Sequence, residues 1–315
     1  EGPSPRYEAL AERFRGLFAR IRAGAIEREV KRELPRELVT ALARSGFTAL
    51  RVPESYGGSG ATLPELFSLL IELGEADSNL TQAIRAHLGF VEHVLNSPRL
   101  EWREAWLRRI GGGALVGPAR SEAGETEQGR YSTVLSQRNG RWLLNGTKFY
   151  STGSLYADWI DVGATGPDGV GHVALVPRAA TGVEVVDDWN GFGQRLTASG
   201  TAHFRDVEVA ADQVRLDTER FAYYQAFYQL VHLANAVGIG RALSDETAEA
   251  VRVRTRSFSH GNATLVRADP QILEVVGRLR AAAYGSGAIV LQNARAIERV
   301  WQTAQTGDAA AVLRA

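Results

Sequence analysis

Two short segments of the 315-residue chain carry residue types suited to holding a flat ligand against a backbone. They are Gly117-Pro-Ala-Arg-Ser-Glu-Ala-Gly124 and Asn145-Gly-Thr-Lys-Phe-Tyr-Ser-Thr-Gly153. Ser121 in the first, and Ser151 and Thr152 in the second, sit beside glycine where a strand-like run ends. Small residues permit close approach, and hydroxyls and amides supply donors. The same residues also serve ordinary turns, so the pattern alone leaves both readings open. His87 falls on the apolar side of a helical run, which suits either a core histidine with a backbone partner or a catalytic group. The stripe Tyr223, Tyr224, Phe227, Tyr228 suits a substrate pocket or a bundle core. Arg252, Arg254 and Arg256 suit a phosphate or a solvated helix face, and Glu122 suits a cofactor contact or a turn ion pair. Trp189 and Arg195 either shape a pocket or pin a long loop.

Other chemistries lack their residues. No glycine-rich dinucleotide fingerprint, phosphate-loop lysine motif or Gly-x-Ser-x-Gly elbow occurs, and Gly111-Gly-Gly113 reads best as a junction turn. The six histidines show no His-Glu-x-x-His spacing, and without cysteine there is no thiolate nucleophile, disulfide or cysteine zinc site. Methionine is absent as well. Thirty-six basic residues balance thirty-six acidic ones, with a pI near 7.3, which does not suggest a nucleic-acid partner. With 44% hydrophobic and 23% charged residues the chain can bury a full core. No apolar run is long enough for a bilayer and Glu1-Gly-Pro-Ser-Pro5 has no leader character, so a soluble cytoplasmic protein is expected.

Three blocks must position these residues: helical 1–112, a β domain 113–212 and helical 213–315. Leu10, Phe14, Leu17, Phe18 and Ile21 mark one helix face; 35–45 predicts a short helix closed by Gly46; Thr62 and Glu65 form a capping box; and 78–96 predicts a further helix. Strands are predicted around 133–137, 142–144, 159–162, 172–176, 182–186 and 201–209. Asn139-Gly140 predicts a hairpin turn and Asn145-Gly146 a second tight turn. This spacing predicts an antiparallel barrel or sandwich. Helical periodicity returns from about Leu216, with a second long run over 270–305.

The order helices, strands, helices, with Tyr56-Gly-Gly, Ser121-Glu122, Lys148-Phe-Tyr-Ser-Thr-Gly153 and Phe204-Arg-Asp-Val-Glu-Val209, resembles the acyl-CoA dehydrogenase superfamily of flavoproteins. Gly191-Phe-Gly-Gln-Arg195 followed by Thr197-Ala-Ser-Gly200 is most similar to its flavin monooxygenase branch. The resemblance implies an α+β architecture with a flavin, FMN or FAD, against the β domain. It implies Ser121 near the pyrimidine edge, Thr152 near N5, Tyr150 abutting the ring with Ser151 beside it, and Arg254 and Arg256 reaching the phosphates of a neighbouring subunit's cofactor. Thr152 is the first catalytic candidate. His87 is the second, because His87-Leu-Gly-Phe90 is one residue short of the branch's flavin-site histidine context. Phe90, Tyr224, Tyr228 and Trp189 are candidate substrate-pocket residues.

The activity implied is that of a two-component monooxygenase, fed by a separate flavin reductase and acting on a small apolar, perhaps organosulfur, substrate, in a tetramer built from dimers. An acyl-CoA dehydrogenase is the alternative, but it needs a carboxylate base. One family position for that base corresponds to Tyr228 and Gln229 here, and Glu219 precedes the helix. A scaffold of the same fold without catalysis is the third reading.

Overall fold

Residues 2–123, 131–256 and 259–307 are described by a computed structural model of the chain. Six helices come first: α1 (Tyr7–Ala23), α2 (Ala25–Lys31), α3 (Arg36–Arg44), α4 (Leu63–Ala76), α5 (Ser78–Leu95) and α6 (Leu100–Gly111). The predicted capping box opens α4: Thr62 N–H donates to Glu65 Oε2 at 2.7 Å, and Glu65 N–H donates to Thr62 Oγ1 at 3.4 Å. Twelve of the fourteen α4 residues are buried, including Glu65 and Ser68 of a polar strip that continues through Glu72 and Glu75. The run 111–113 ends α6, where Gly111 packs against the Tyr56 carbonyl.

The middle block is one sheet of eight strands: β1 (Val116–Ala119), β2 (Val134–Arg138), β3 (Arg141–Lys148), β4 (Trp159–Thr165), β5 (Gly171–Pro177), β6 (Val183–Val185), β7 (Ala202–Val209) and β8 (Val214–Leu216). Their order is β6-β7-β3-β2-β4-β5-β8, with β1 beside β4. The sheet is mixed, not wholly antiparallel. β1 runs parallel to β4 with Val116 opposite Trp159, and Val134 of β2 meets Thr165 of β4 in the same sense. Ala119, Leu135, Leu144, Ile160, Ala174 and Phe204, from six strands, meet in one apolar cluster. Asn139 (φ 50°) and Gly140 (φ 76°) make the predicted β2–β3 turn, both with positive φ. Asn145-Gly146, by contrast, lies inside β3 at a register shift against β7, so it is a bulge and not a second turn.

Two long helices close the chain, α7 (Tyr224–Val253) and α8 (Pro270–Ala304). The return to helix comes later than the periodicity predicts, because Leu216 ends β8. Leu66, Phe67 and Leu70 of α4 share a core with Phe227, Val231 and Ala234 of α7 and with Val290, Ala294 and Ile297 of α8. The helices before and after the sheet therefore form one bundle. A buried polar knot ties it: Arg51 Nε donates to Glu92 Oε1 (2.8 Å), Arg51 Nη1 reaches Glu298 Oε2 (3.4 Å), and the Tyr223 hydroxyl donates to Glu92 Oε2 (2.5 Å).

The backbones of α4 and α7 touch where both carry glycine. A Cβ on Gly238 would stand 2.5 Å from Glu75 N and 2.6 Å from Ile71 O, too close to be absorbed by side-chain motion. Gly238→Ala should therefore destabilise the protein by about 1–3 kcal/mol through overpacking, read as a lower urea midpoint. An unchanged midpoint would show that the two helices can separate at no cost.

Candidate active site

A cavity of about 490 Å³ lies between the sheet and the bundle. That volume is typical of a small-molecule site. One face of α5 supplies Arg85, Ala86, Gly89, Phe90 and His93, at the i, i+4, i+8 spacing of helical neighbours. The first turns of α7 supply Tyr224, Gln225, Tyr228 and Gln229. Ser121 follows β1, and Tyr150 and Thr152 follow β3; all three reach the opposite wall. Helices and strands must pack at a set distance for these groups to meet, and Gly89 helps to set it. A Cβ there would stand 2.0 Å from the Tyr228 hydroxyl.

The floor is charged. Arg120 donates to Asp161 at 2.6 Å and to Asp217 at 2.5 Å; Arg215 pairs with Asp161 at 2.8 Å and Arg220 with Asp217 at 3.3 Å. Asp161 is carried by β4 between Ile160 and Val162, whose side chains enter the sheet's apolar cluster, so strand alternation turns its carboxylate outward to the cavity. Burial by itself would raise its pKa, but Arg120 and Arg215 outweigh that and hold it below the ordinary carboxylate range. His93 is pushed down to about 3, by burial first and by Arg215 second. It is therefore a neutral imidazole at neutral pH.

Among the residues singled out from sequence, Ser121, Thr152, Tyr150, Phe90, Tyr224 and Tyr228 line this cavity together. The Thr152 hydroxyl is fixed by Ser199 Oγ at 2.8 Å, which in turn contacts Thr197 Oγ1 at 2.7 Å. Tyr150 is 63% exposed, sits at φ 54° and meets the Trp189 ring edge-on at 5.8 Å. Ser151 is fully buried, its hydroxyl without a hydrogen-bond partner, and it is not among the lining residues.

His87 is not brought to the cavity. Its Nδ1 accepts the Val116 N–H at 3.2 Å, which leaves Nε2–H to donate to the Thr48 carbonyl at 3.0 Å, and burial lowers its pKa to about 4. Both nitrogens are committed to backbone, so the geometry favours the core-histidine reading over the catalytic one. Trp189 likewise serves its loop, donating Nε1–H to Gln194 O at 2.8 Å, while Arg195 reaches Glu29 O at 3.3 Å. Arg254 and Arg256 are exposed at the C-terminal end of α7, away from this cavity. Tyr223 and Phe227 point into the core, so only half of the aromatic stripe faces the ligand space.

Glu122 is an ion-pair residue. It accepts from the fully buried Lys148 Nζ at 2.6 Å and from the Ser132 and Thr133 amides. Sequence reasoning overlooked Arg85, His93 and the arginine–aspartate floor. The available signal was that Arg85, Gly89 and His93 recur every four residues on one side of α5, opening that face beside the apolar stripe.

The donor set fits a flavin ring in part. The Ser121 and Thr152 hydroxyls and the aromatic rings present the polar groups and walls that a flat, polar-edged tricycle requires. The amides of Ser151, Thr152 and Gly153 are already bonded to Gly200 O, Tyr150 O and Thr197 O. Because Thr197 donates to Gln194 O, Ser199 donates to Thr197 and Thr152 to Ser199, so Thr152 offers its oxygen as an acceptor and the Ser121 hydroxyl is the donor on offer.

Comparison with known proteins agrees with this layout. The pattern of the acyl-CoA dehydrogenase N-terminal domain matches residues 4–114, and that of the middle domain matches residues 120–207. The chain belongs to the acyl-CoA dehydrogenase family. Within the family it is similar to dibenzothiophene monooxygenase of Rhodococcus erythropolis, at 27% identity over 94% of this chain and 74% of that protein. It is also similar to a probable FMNH2-dependent monooxygenase, SfnC, of Pseudomonas putida, at 24% identity over 93% of this chain and 74% of that protein. The structure of FMN-bound TdsC from Paenibacillus sp. A11-2 superimposes with a TM-score of 0.79 at 26% identity, covering 90% of this chain and 76% of that one. This acyl-CoA dehydrogenase family member is thus a flavin-dependent oxidoreductase of the monooxygenase branch. Among the described residues no helix is long and apolar enough to cross a membrane.

The Glu122–Lys148 pair, beneath the strand end that carries Ser121, gives this family member a measurable acid response. Burial would raise the Glu122 pKa, but Lys148 and the Thr133 and Ser132 donors prevail and lower it from 4.5 to about 2. A lowered carboxylate pKa contributes stability above the unfolded value, and that contribution is lost as pH falls from about 4.5 towards 2. In urea titrations across that window Glu122→Gln should show a shallower loss of stability than the parent chain. Equal slopes would mean that another carboxylate governs the response.

Proposed function

We propose that the chain is the oxygenase half of a cytoplasmic two-component system, taking reduced FMN from a separate flavin reductase and oxygenating a small organic substrate with an apolar body. The observation that carries this over acyl-CoA dehydrogenation is what α7 presents to the cavity. Positions 228 and 229 bring a phenol and an amide, where α-proton abstraction would need a carboxylate. Asp161, Asp217 and Glu219 also line the space, but each aspartate is spoken for by two arginines and Glu219 precedes α7 and accepts the Leu216 N–H. The similarity to proteins named as FMNH2-dependent and FMN-bound supports FMN and a separate source of reducing equivalents. The name dibenzothiophene monooxygenase supports an organosulfur or aromatic substrate class.

Reduced flavin supplies the two electrons with which dioxygen is split, one atom passing to the substrate and the other leaving as water. The chain's own residues prepare that reaction. Thr152, held by Ser199, presents a hydroxyl of weak basicity, and Ser121 presents a second at the end of β1. Neither removes a proton at neutral pH, so neither diverts the reaction to peroxide. Phe90, Tyr224 and Tyr228 form the apolar side that holds the substrate body and excludes water. Arg254 and Arg256, exposed beyond this cavity, suit the phosphate of a cofactor in a neighbouring subunit of a dimer-based tetramer.

The test supplies enzymatically reduced FMN and ¹⁸O₂ with a panel of thioethers, sulfoxides and indoles. One ¹⁸O atom per product molecule is expected. Thr152→Val should weaken binding of reduced FMN by about 2- to 12-fold, the worth of one neutral hydrogen bond. Bleaching of oxidised flavin by an acyl-CoA, with no oxygen-dependent product, would replace this reading with the dehydrogenase.

A further inference from the structure

We infer that Arg85 is a specificity-determining residue that admits substrates bearing a small oxyanion, a carboxylate or an oxyanion of sulfur, at the α5 side of the cavity. The inference deepens the oxygenase reading and rests on it for the word substrate.

The charge pattern of the cavity makes Arg85 an exception. Four guanidiniums face it, those of Arg85, Arg120, Arg215 and Arg220, against three carboxylates, Asp161, Asp217 and Glu219. Three of the arginines have aspartate partners, and Glu219 accepts the Leu216 N–H at 3.2 Å. Arg85 alone has no carboxylate and no hydrogen-bonded acceptor among the described residues, and its Nε is buried without a partner. His93, which faces the same space, is neutral and does not offset the excess positive charge.

The guanidinium is held in place by stacking. Its Cζ lies 5.2 Å from the centre of the Tyr228 ring, a cation–π contact that fixes orientation without satisfying a single N–H. Arg85 is half-buried, and its Nε–H is both buried and unfilled; such a donor is costly to the free protein, and an arriving anion offsets that cost. Burial pulls the Arg85 pKa below its usual value with no carboxylate to oppose it, in line with a partner that is not part of the described chain. The fork of the guanidinium suits a two-oxygen head such as a carboxylate or sulfinate, with Phe90 and Tyr224 beside it for the body. A purely apolar substrate would leave Arg85 desolvated and unpaired.

The anion has two possible sources in this site, an organic substrate and the phosphate of the cofactor, and the experiment separates them. Benzenesulfinate, benzoate and the uncharged methyl phenyl sulfone are titrated calorimetrically into the full chain and into Arg85→Gln and Arg85→Lys, with FMN and riboflavin titrated in parallel. The parent should bind the two anions at least 10-fold tighter than the sulfone. Arg85→Gln should lose about 10- to 100-fold of anion affinity, the range for a charge-assisted contact, and leave the sulfone unchanged; Arg85→Lys should recover part of the loss. Three results would overturn the proposal. They are no saturable anion binding by the parent, an equal loss for anion and sulfone, and a loss confined to FMN with riboflavin and the organic anions unaffected, which would assign Arg85 to the cofactor phosphate. Because the readout is binding, Arg85-dependent anion affinity in a protein that makes no ¹⁸O-labelled product would sink the oxygenase reading and leave the anion site standing.

Discussion

The arginine–aspartate lattice under the cavity is the constraint on which the site depends. Arg120 leaves β1, Asp161 sits on β4, Arg215 on β8, and Asp217 and Arg220 lie in the segment that leads to α7. These charges therefore pin three separate stretches of chain around one point. Such a lattice is stable only when every member has its partner, since loss of one ion leaves another buried and uncompensated. It fixes where α7 begins relative to the strand ends, and so the separation between Tyr228 and Thr152. It also absorbs three of the four nearby guanidiniums, which leaves the fourth as the one with capacity to spare.

Most of the architecture was legible in the amino-acid order because it is written in local patterns. The Thr62–Glu65 capping box, the Asn139-Gly140 turn and the apolar spacing of α1 and α5 each depend on residues a few positions apart. What was not legible depends on partners remote in sequence. β1 is only four residues long and finds its place through parallel pairing with β4 some forty positions on. β8 is three residues of Val-Arg-Leu whose ladder partner among the described residues is β5. The Asn145-Gly146 pair has the composition of a turn, yet tertiary pairing with β7 kept it in a strand and turned it into a bulge.

The candidate site divides in the same way. Ser121, Thr152, Phe90, Tyr224 and Tyr228 could be selected by residue type and resemblance, and all five line one cavity. His87 shows the limit of that method. Its place on the apolar side of α5 was visible, but whether its ring faced a ligand or two backbone groups turned on Thr48 and Val116, which no local pattern connects to it. Arg85, two residues earlier, belongs to no motif that singles it out. Only the fold shows that its neighbours are aromatic and that the nearby carboxylates are taken.

The bundle is assembled from both ends of the chain, and this has a consequence for its birth on the ribosome. Leu66, Phe67 and Leu70 are translated early, whereas the surfaces that cover them, around Val231, Val237 and Val290, emerge only after every strand has been made. During that interval the broad apolar face of α4 stands with part of its cover missing, the kind of exposure on which aggregation and chaperone capture act. The sheet, whose inner cluster draws on the middle of the chain alone, has all its pieces by Leu216 and can form first. Nascent chains should therefore pass through a stage with a finished sheet and a bundle awaiting its second half.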